Sequence, residues 1–323
     1  MTWQLRIVED DADRRAYVDL LNALQPEWPT SVDELAWQDE TFPGGARLLA
    51  AVDGRVVGAA SAGRIYMHPP EFERYWLWLG VLPEWRRRGI GSALLAVTSE
   101  VAARAGKTGF QGDVLETWTD GLAFLEHRGF EVYERMRMVR LRVAGLTPPE
   151  VAPPPGIRIT NLAAEPALID GIHAVAIATF PDIPHVGEPI DPGTLEAFRA
   201  RDIDRPGMPH DAVAIAVDET TGVVAGYASL LFAPGSSTIA YHDMTAVMPA
   251  WRGRGLATAL KRATIRWAVE HGIEWLETGN DEHNAPMRAV NARLGYQPTP
   301  DLLGVRGPLV TSVPGTPASG TAP

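Results

Sequence analysis

A chain of 323 residues has room for two compact domains, each with its own core. Its formal net charge is −11 and both halves are acidic, which argues against nucleic acid or an anionic membrane surface as a partner. The lack of cysteine excludes disulfides, thiolate metal sites and cysteine nucleophiles. No apolar run approaches the roughly 18 residues of a membrane span. No signal-peptide pattern opens the chain, so we expect a cytoplasmic protein. We also expect that it holds no metal.

The N-terminal half alternates strand-like and helix-like stretches, which is typical of the α/β class, here a mixed sheet flanked by helices. Asp53-Gly54 joins two of the strands and is a strong hairpin signal. The predicted strands are Leu5–Val8, Ala46–Val52, Arg55–Ala62, Arg74–Val81, Gly109–Glu116 and Glu131–Val143. The predicted helices are Ala12–Leu24, a stretch within Gln25–Pro43, Gly91–Ala105 and Asp120–Arg128.

A proline-rich segment divides the chain, because five prolines between Ala144 and Gly156 make it stiff, extended and unable to join a sheet. Beyond it the order of elements starts again. The predictions there are a strand from Ile157, helices near Pro166–Phe180 and Pro192–Asp202, a hairpin of Ala212–Val217 and Val223–Leu231, a strand over Ile239–Val247 and a helix from Leu256. We therefore predict an N-terminal domain over 1–144, a linker over 145–156 and a C-terminal domain over 157–310. The tail, 311–323, is rich in Pro, Gly, Ser, Thr and Ala and is expected to be disordered.

One stretch occurs twice, at a constant offset of 166 residues. The repeated residues are Val81, Pro83, Trp85, Arg86, Arg88 and Gly89, which recur as Val247, Pro249, Trp251, Arg252, Arg254 and Gly255. Gly129-Phe130 recurs as Gly295-Tyr296 at the same offset. Two unrelated helix starts would not keep one register over this length, so the pattern indicates an internal duplication.

Each copy places small residues where a strand turns into a helix. Such a turn leaves backbone N–H groups unpaired at a helix N-terminus, where the helix dipole favours negative charge. The glycines let an anion approach the backbone closely. The pattern indicates a cradle for phosphate or pyrophosphate. It is neither a P-loop nor the three-glycine dinucleotide motif.

Strand, Val-x-Pro-x-x-Arg-x-x-Gly-x-Gly/Ala, helix, second strand and Gly-Phe/Tyr together resemble the Gcn5-related N-acetyltransferase (GNAT) superfamily in both halves. The arrangement is similar to that of mycothiol-synthase-like tandem members. The resemblance implies acetyl-CoA as co-substrate, with its pyrophosphate on the turn and its pantetheine along the preceding strand. In the C-terminal half it assigns cofactor binding to Val247, Arg252, Gly253, Arg254, Gly255, Leu256, Ala257, Thr258, Asn284 and Asn291. In the N-terminal half the corresponding residues are Val81, Arg86, Arg87, Arg88, Gly89, Ile90, Gly91 and Ser92.

The implied reaction is direct attack of an amine on the thioester, so a nearby group must take a proton from that amine. Bases in the family often lie nine or eleven residues before the first Arg of the motif. Those positions are Asp243 and Tyr241 in the C-terminal half. We predict Asp243 as the base, with Glu277 and His242 as alternatives. A bulge on this strand, common in the family, would change which side chains share a face.

The family's usual proton donor to the leaving thiolate is a Tyr four residues before the final Gly. Asn291 stands there, and an amide is no general acid. The role is left unassigned, since a thiol of pKa near ~8.5 leaves fairly well as the thiolate and water could protonate it. Asn284 is equally consistent with helix capping.

The N-terminal half lacks several of these groups. Leu77 and Trp118 stand at the positions of the expected base and of Asn284. We therefore expect a degenerate or supporting domain. A second catalytic unit that uses Glu116 or Asp113 is the alternative.

The predicted function is transfer of an acetyl group from acetyl-CoA to the amine of a small molecule by a monomer or homodimer. Asp182, His185 and Glu188 are candidates to line the amine pocket. The alternatives are a protein or peptide amine, a mycothiol-synthase-like acceptor, and a non-catalytic acyl-CoA-binding regulatory protein.

Overall fold

The computed structural model describes residues 3–26, 28–183, 190–232 and 236–310. The predicted disordered tail (311–323) and the pocket candidates His185 and Glu188 lie outside these residues. None of the described helices is long and apolar enough to cross a membrane.

Strands and helices follow the predicted order, with ends that differ by a few residues. The first elements are β1 (Trp3–Ile7), α1 (Asp11–Leu24), α2 (Val32–Thr41), β2 (Ala46–Val52), β3 (Arg55–Gly63), β4 (Arg74–Val81), α3 (Ile90–Arg104), β5 (Gly109–Leu115), α4 (Thr119–Glu126) and β6 (Glu131–Arg142). They are followed by β7 (Ile157–Asn161), α5 (Ile169–Thr179), α6 (Leu195–Phe198), β8 (Ala214–Asp218), β9 (Val224–Phe232), β10 (Ile239–Val247), α7 (Leu256–Glu270), β11 (Trp275–Asp281), α8 (Ala285–Arg293), β12 (Gln297–Pro298) and β13 (Leu302–Pro308).

The chain forms two compact units that are not the contiguous ranges predicted above. The first unit comprises Met1–Val114, Trp118–Tyr133 and the chain from Gly304 onward, and the second comprises Leu115–Thr117 and Glu134–Leu303. Strand order is β1-β2-β3-β4-β5-β13 in the first unit and β6-β11-β10-β9-β8-β7 in the second, where β12 also pairs with β6.

The boundaries at 144 and 157 are therefore corrected, because the last strand of each half completes the sheet of the other unit. β6 pairs antiparallel with β11 from Arg142↔Trp275 to Met136↔Asp281. Val305, on β13, is buried in the first unit beside Phe110 and Phe130. The predicted linker forms no strand, as expected, but it belongs to the second unit.

Helices cover both faces of the second sheet. One face packs against α5 and α6, with Ile172, Val175 and Phe198 in its core. The opposite face packs against α7, through Leu260 in the N-terminal half of the helix and Ile265 in its C-terminal half. Because side chains alternate along a strand, each residue of β10 is assigned to the α5 face or to the α7 face.

Candidate active site

Both repeated turns have the geometry of an anion cradle. Gly89 and Gly255 adopt φ of 82° and 83°, in the left-handed region that favours glycine, immediately before α3 and α7. The first intrahelical hydrogen bonds run from Ala93 to Gly89 and from Ala259 to Gly255. The N–H groups of the three intervening residues of each helix therefore point out of its N-terminus. These residues are Ile90, Gly91 and Ser92 in the first unit and Leu256, Ala257 and Thr258 in the second.

The first arginine of each motif stabilises the turn itself. Nε of Arg252 donates to the C=O of Val247 at 3.0 Å, and Arg86 makes the same bond to Val81 at 3.1 Å. Arg252 also forms an ion pair of 2.8 Å with Asp182. Asp182, a candidate for the amine pocket, is thus placed at the phosphate turn.

The next motif position differs between the copies, whereas the position after it is an arginine in both. Arg87 adopts φ of 62°, where the second copy has Gly253 at 75°. Arg88 and Arg254 each lie over the neighbouring tryptophan ring, 4.7 Å and 5.1 Å from its centroid. In the first unit, Arg128 also donates to the Ser92 hydroxyl at 2.7 Å.

In each sheet the two central strands separate where the pantetheine arm of the cofactor is expected. β10 and β11 pair in parallel only from Ile239↔Trp275 to Tyr241↔Glu277, although both strands continue well beyond. β4 and β5 likewise pair only from Arg74↔Gly109 to Trp76↔Gln111. Beyond these pairs, β10 and β4 are paired only on their other edge, so backbone groups facing the gap are open to an extended ligand.

A bulge in β10 lies at the inner end of this gap. The register against β9 shifts between His242, opposite Leu230, and Met244, opposite Ser229. Asp243 is the additional residue. A bulge of the kind common in the family is therefore present, and it places Asp243 beside Met244 on the α5 face, while His242 faces α7.

The environment of Asp243 suits a proton acceptor. Ser229 donates a hydrogen bond to it, and Nη1 of Arg205 lies 3.9 Å from its Oδ1. Asp243 is an exposed residue, with 24% of its side-chain surface open to solvent, but the surrounding protein removes part of the hydration of its carboxyl. Loss of hydration there raises the pKa of Asp243 to about 6, against the opposing influence of Arg205. Such a group is ionised at neutral pH and binds a proton more readily than an ordinary aspartate.

A π-helical turn, Arg199–Ile203, continues α6, and the charges of two of its residues, Arg201 and Asp202, act on Asp243. Turns of this kind are frequent at functional sites. It carries Arg201, 7% exposed, whose guanidinium forms an ion pair of 2.6 Å with Asp202. Burial raises the pKa of Asp202, and Arg201 opposes that shift.

Tyr241 and Glu277 lie opposite each other in the last paired position of β10 and β11. Strand alternation places both on the α5 face, as it does Asp243. Both side chains are half-buried. They lie on the paired side of the bulge, where β10 and β11 are still hydrogen-bonded to each other. Glu277 also lies opposite Arg140 of β6.

The two asparagines have different positions. Asn284 is the N-cap of α8, and its side chain accepts from the N–H of Met287 at 3.3 Å. Asn291 is 1% exposed and donates to Asn280 at 2.6 Å. Asn291 therefore connects α8 to β11 by a buried hydrogen bond.

A buried polar cluster lies on the α7 face, made up of His242, Lys261, Thr264 and Tyr296. Lys261 is 1% exposed, and burial lowers its pKa to about 7. Burial and the Lys261 charge lower the pKa of His242 well below its usual range. At neutral pH this cluster therefore contains a neutral imidazole and an ammonium group close to losing its proton.

Among its described residues, the first unit has no counterpart of the bulge and acidic side chain found at Asp243. β4 keeps a regular register against β3 from Gly58↔Val81 to Gly63↔Trp76. Counted along the pairings from Val81 and Val247, Leu77 corresponds to His242 and not to Asp243, which has no counterpart. The assumed correspondence of Leu77 with Asp243 is corrected accordingly.

The alternative bases of the first half are also poorly placed. Glu116 belongs to the second unit, pairs with Arg135 at 2.7 Å and accepts the N–H of Asp301. These bonds lower its pKa, which makes it a weaker proton acceptor. Asp113 is exposed on β5.

Ser229, Arg205 and Lys261 are site features that the sequence analysis did not single out. Ser229 and Arg205 lie far from the motif along the chain, and only the fold brings them to Asp243. The sequence does contain a signal that Lys261 is buried, because this lysine occupies a position of α7 where the helical spacing predicts an apolar residue. The corresponding residue of the first copy, Leu95, is apolar.

Residues 14–130 and 178–296 match the model of the acetyltransferase (GNAT) family. The chain belongs to this family. It carries the family's domain twice, and its fold is the mixed α/β fold of tandem members. Members of the family use acetyl-CoA and an acceptor.

Curated relatives are mycothiol acetyltransferases. One from Thermobifida fusca is 24% identical over 275 residues, which cover 77% of this chain and 79% of the relative. One from Mycobacterium sp. (strain JLS) is 37% identical over 106 residues, so the matched part spans only 33% of either chain.

Solved structures show the same fold at low identity. A tandem GNAT protein from the clavulanic acid biosynthesis pathway superposes with a TM-score of 0.76 at 22% identity, covering 97% of this chain and 100% of that one. A GCN5-related N-acetyltransferase from Sphaerobacter thermophilus gives 0.69 at 19% identity, covering 96% and 97%.

The ionisation of Lys261 can be measured directly, because the chain has two lysines, Lys107 and Lys261. In a protein labelled with ¹³C at lysine Cε, we expect the resonance that disappears in Lys261→Met to titrate with a midpoint near 7. The cause is the loss of ammonium hydration on burial. Lys107→Met assigns the other resonance. A Lys261 midpoint above about 9.5 would contradict the described burial.

Proposed function

We propose that the second unit is an N-acetyltransferase that moves an acetyl group from acetyl-CoA to the amine of a small molecule. The observation that supports this most directly is Asp243, which stands on the bulge at the inner end of the β10–β11 gap with its pKa raised to about 6. The family match supports acetyl-CoA as the donor.

The residues of this unit fit the donor. The N–H groups at the start of α7, with Gly253 and Gly255 in left-handed conformations, hold the pyrophosphate. Backbone groups of β10 near Val247 bind the pantetheine and polarise the thioester carbonyl. The acceptor enters on the α5 face, where Asp243 takes a proton from its ammonium group, and the freed lone pair attacks the carbonyl carbon directly.

In this proposal the first unit supports the second and does not catalyse. Its phosphate turn is intact and rich in arginine, but β4 has neither the bulge nor an acidic side chain at that place. The mycothiol acetyltransferase names of the curated relatives make an acceptor of the mycothiol class the second candidate.

Replacing Asp243 with Asn tests the base. We expect kcat to fall by about 10²- to 10⁴-fold, because the amide cannot accept the proton, while the dissociation constant of acetyl-CoA stays unchanged. CoA release is followed with a thiol-reactive dye across a panel of amines, and the cysteine-free protein adds no thiol signal. Acceptors that carry a thiol are followed by product mass.

Glu277→Gln is the matched control, since it removes a half-buried carboxylate from the same face. Turnover that survives in Asp243→Asn and is lost in Glu277→Gln would move the base to Glu277. Tight acetyl-CoA binding without turnover on any amine or peptide would favour the regulatory alternative.

Replacing Gly255 with Ala tests where acetyl-CoA binds. Alanine in the left-handed conformation costs about 1–2 kcal/mol, so the start of α7 should shift. We expect the dissociation constant of the second-unit site, measured by titration calorimetry, to rise about tenfold. Gly89→Ala is the matched change in the first unit. If only Gly89→Ala weakened the binding that supports turnover, the proposed location would be wrong.

A further inference from the structure

The buried polar cluster of the second unit (His242, Lys261, Thr264 and Tyr296) is incompletely hydrogen-bonded. Thr264 donates to the C=O of Lys261 at 2.9 Å, so towards His242 Nδ1, 3.5 Å away, its oxygen acts as the acceptor. Nδ1 then carries the proton and Nε2 offers a lone pair. Neither Nε2 of His242 nor the hydroxyl of Tyr296 has a hydrogen-bond partner within the described part of the chain. Buried polar atoms of this kind call for bound water or a ligand.

The members of the cluster face one another. The rings of His242 and Tyr296 are 5.8 Å apart, and Nζ of Lys261 lies 5.3 Å from the Tyr296 ring. The rest of this face is apolar core, including Leu230 of β9 and Leu276 of β11. Among the described residues around the lysine, His242 from β10 and Tyr296 from the segment after α8 are therefore the groups that can titrate.

The duplicated unit provides an internal control for the cluster. The corresponding positions, by sheet register for His242 and by the offset of 166 for the others, are Leu77, Leu95, Thr98 and Phe130. Leu77, Leu95 and Phe130 form one apolar core cluster in the first unit. The fold is thus compatible with apolar side chains at these buried positions. Burying a lysine instead is costly, so the polar filling of the second unit calls for a functional reason.

The cluster lies at the inner end of the β10–β11 gap. His242 and Thr278 are the first residues beyond the last pair of these strands, and the Thr278 hydroxyl lies 3.5 Å from the C=O of His242. Asp243 is adjacent along the strand but faces α5. A thioester at this point would therefore have Asp243 on one side and the buried cluster on the other.

We propose that Lys261 provides the proton that the CoA sulfur takes up as it leaves, relayed through the Tyr296 hydroxyl and a water molecule that donates a hydrogen bond to Nε2 of His242. The proposal rests on the proposed function. As the C–N bond forms and the C–S bond breaks, the electron pair of the C–S bond stays on sulfur, which then receives a proton from the Lys261 ammonium group.

The proton count balances. The acceptor ammonium loses one proton to Asp243 before attack and a second to solvent as the amide forms. Sulfur gains one from Lys261, which solvent recharges, and Asp243 returns its own proton to solvent, so one proton is released per turnover. Lys261 thereby takes the place of the acid that Asn291 cannot be.

The test uses CoA alone on the full-length protein, so it does not depend on turnover. The thiolate and the Lys261 ammonium group stabilise each other as an ion pair, so the lysine keeps its proton while the bound thiol ionises. We therefore expect the pKa of the bound CoA thiol to lie at least about one unit below that of free CoA. The thiolate is followed by ultraviolet difference absorbance against protein without CoA, and no cysteine contributes. In Lys261→Met the lowering should disappear, with the dissociation constant of CoA changed less than about twofold.

Tyr296→Phe provides a second variant that the fold accepts, since Phe130 fills the same position of the first unit. It should retain the lowered thiol pKa, because the lysine charge remains, but reduce kcat with an amine acceptor at least about threefold. Lys261→Met should reduce kcat at least about tenfold with an unchanged KM for acetyl-CoA.

Equal thiol pKa values in the wild type and in Lys261→Met would overturn the proposal, as would full kcat in Lys261→Met. These results are distinct from a failure of the proposed function, in which no amine is acetylated although the thiol titration still responds to Lys261. Melting curves of each variant confirm that it is folded, and Lys261→Met should melt no lower than the wild type, because it removes a buried charge.

Discussion

One additional residue in β10 distinguishes the central strand of the second unit from β4, its counterpart in the first unit. The bulge places Asp243 on the α5 face at the point where β10 and β11 part, and it leaves His242 on the α7 face. Without it, as in β4, the strand continues with regular alternation and no acid reaches that place. The raised pKa of Asp243, its bond from Ser229 and its distance from Arg205 all depend on this local geometry.

The two units show that one fold accepts either apolar or polar side chains at the same buried positions between the central strands and the helix that follows the phosphate turn. The first unit buries leucines and a phenylalanine where the second buries a lysine, a histidine and a tyrosine. Both phosphate turns keep a left-handed glycine immediately before the helix, so the larger difference between the units lies at the inner end of the gap. In the proposed account the two described units keep similar turns, while the groups expected to transfer protons belong to the second unit.

Much of the fold could be predicted from the sequence, because periodicity, the Asp53-Gly54 turn and the repeated glycine motif are local signals. The bulge was anticipated as a family feature, and the structure places it at Asp243. The exchange of β6 and β13 could not be predicted, since a strand's own sequence does not specify which sheet it joins. Arg205 and Ser229 were missed for the same reason, while Leu77 was aligned with Asp243 because a constant offset cannot reveal a bulge.

The most direct test of this account is the pH dependence of kcat/KM for thiol release, with an acceptor whose amine pKa lies well above the range studied. Asp243 accepts a proton only when ionised, so kcat/KM should fall as the pH drops through about 6, with a slope of one, and this limb should vanish in Asp243→Asn. A limb near the ordinary aspartate value of about 4, or one that persists in Asp243→Asn, would contradict the assignment of Asp243 as the base.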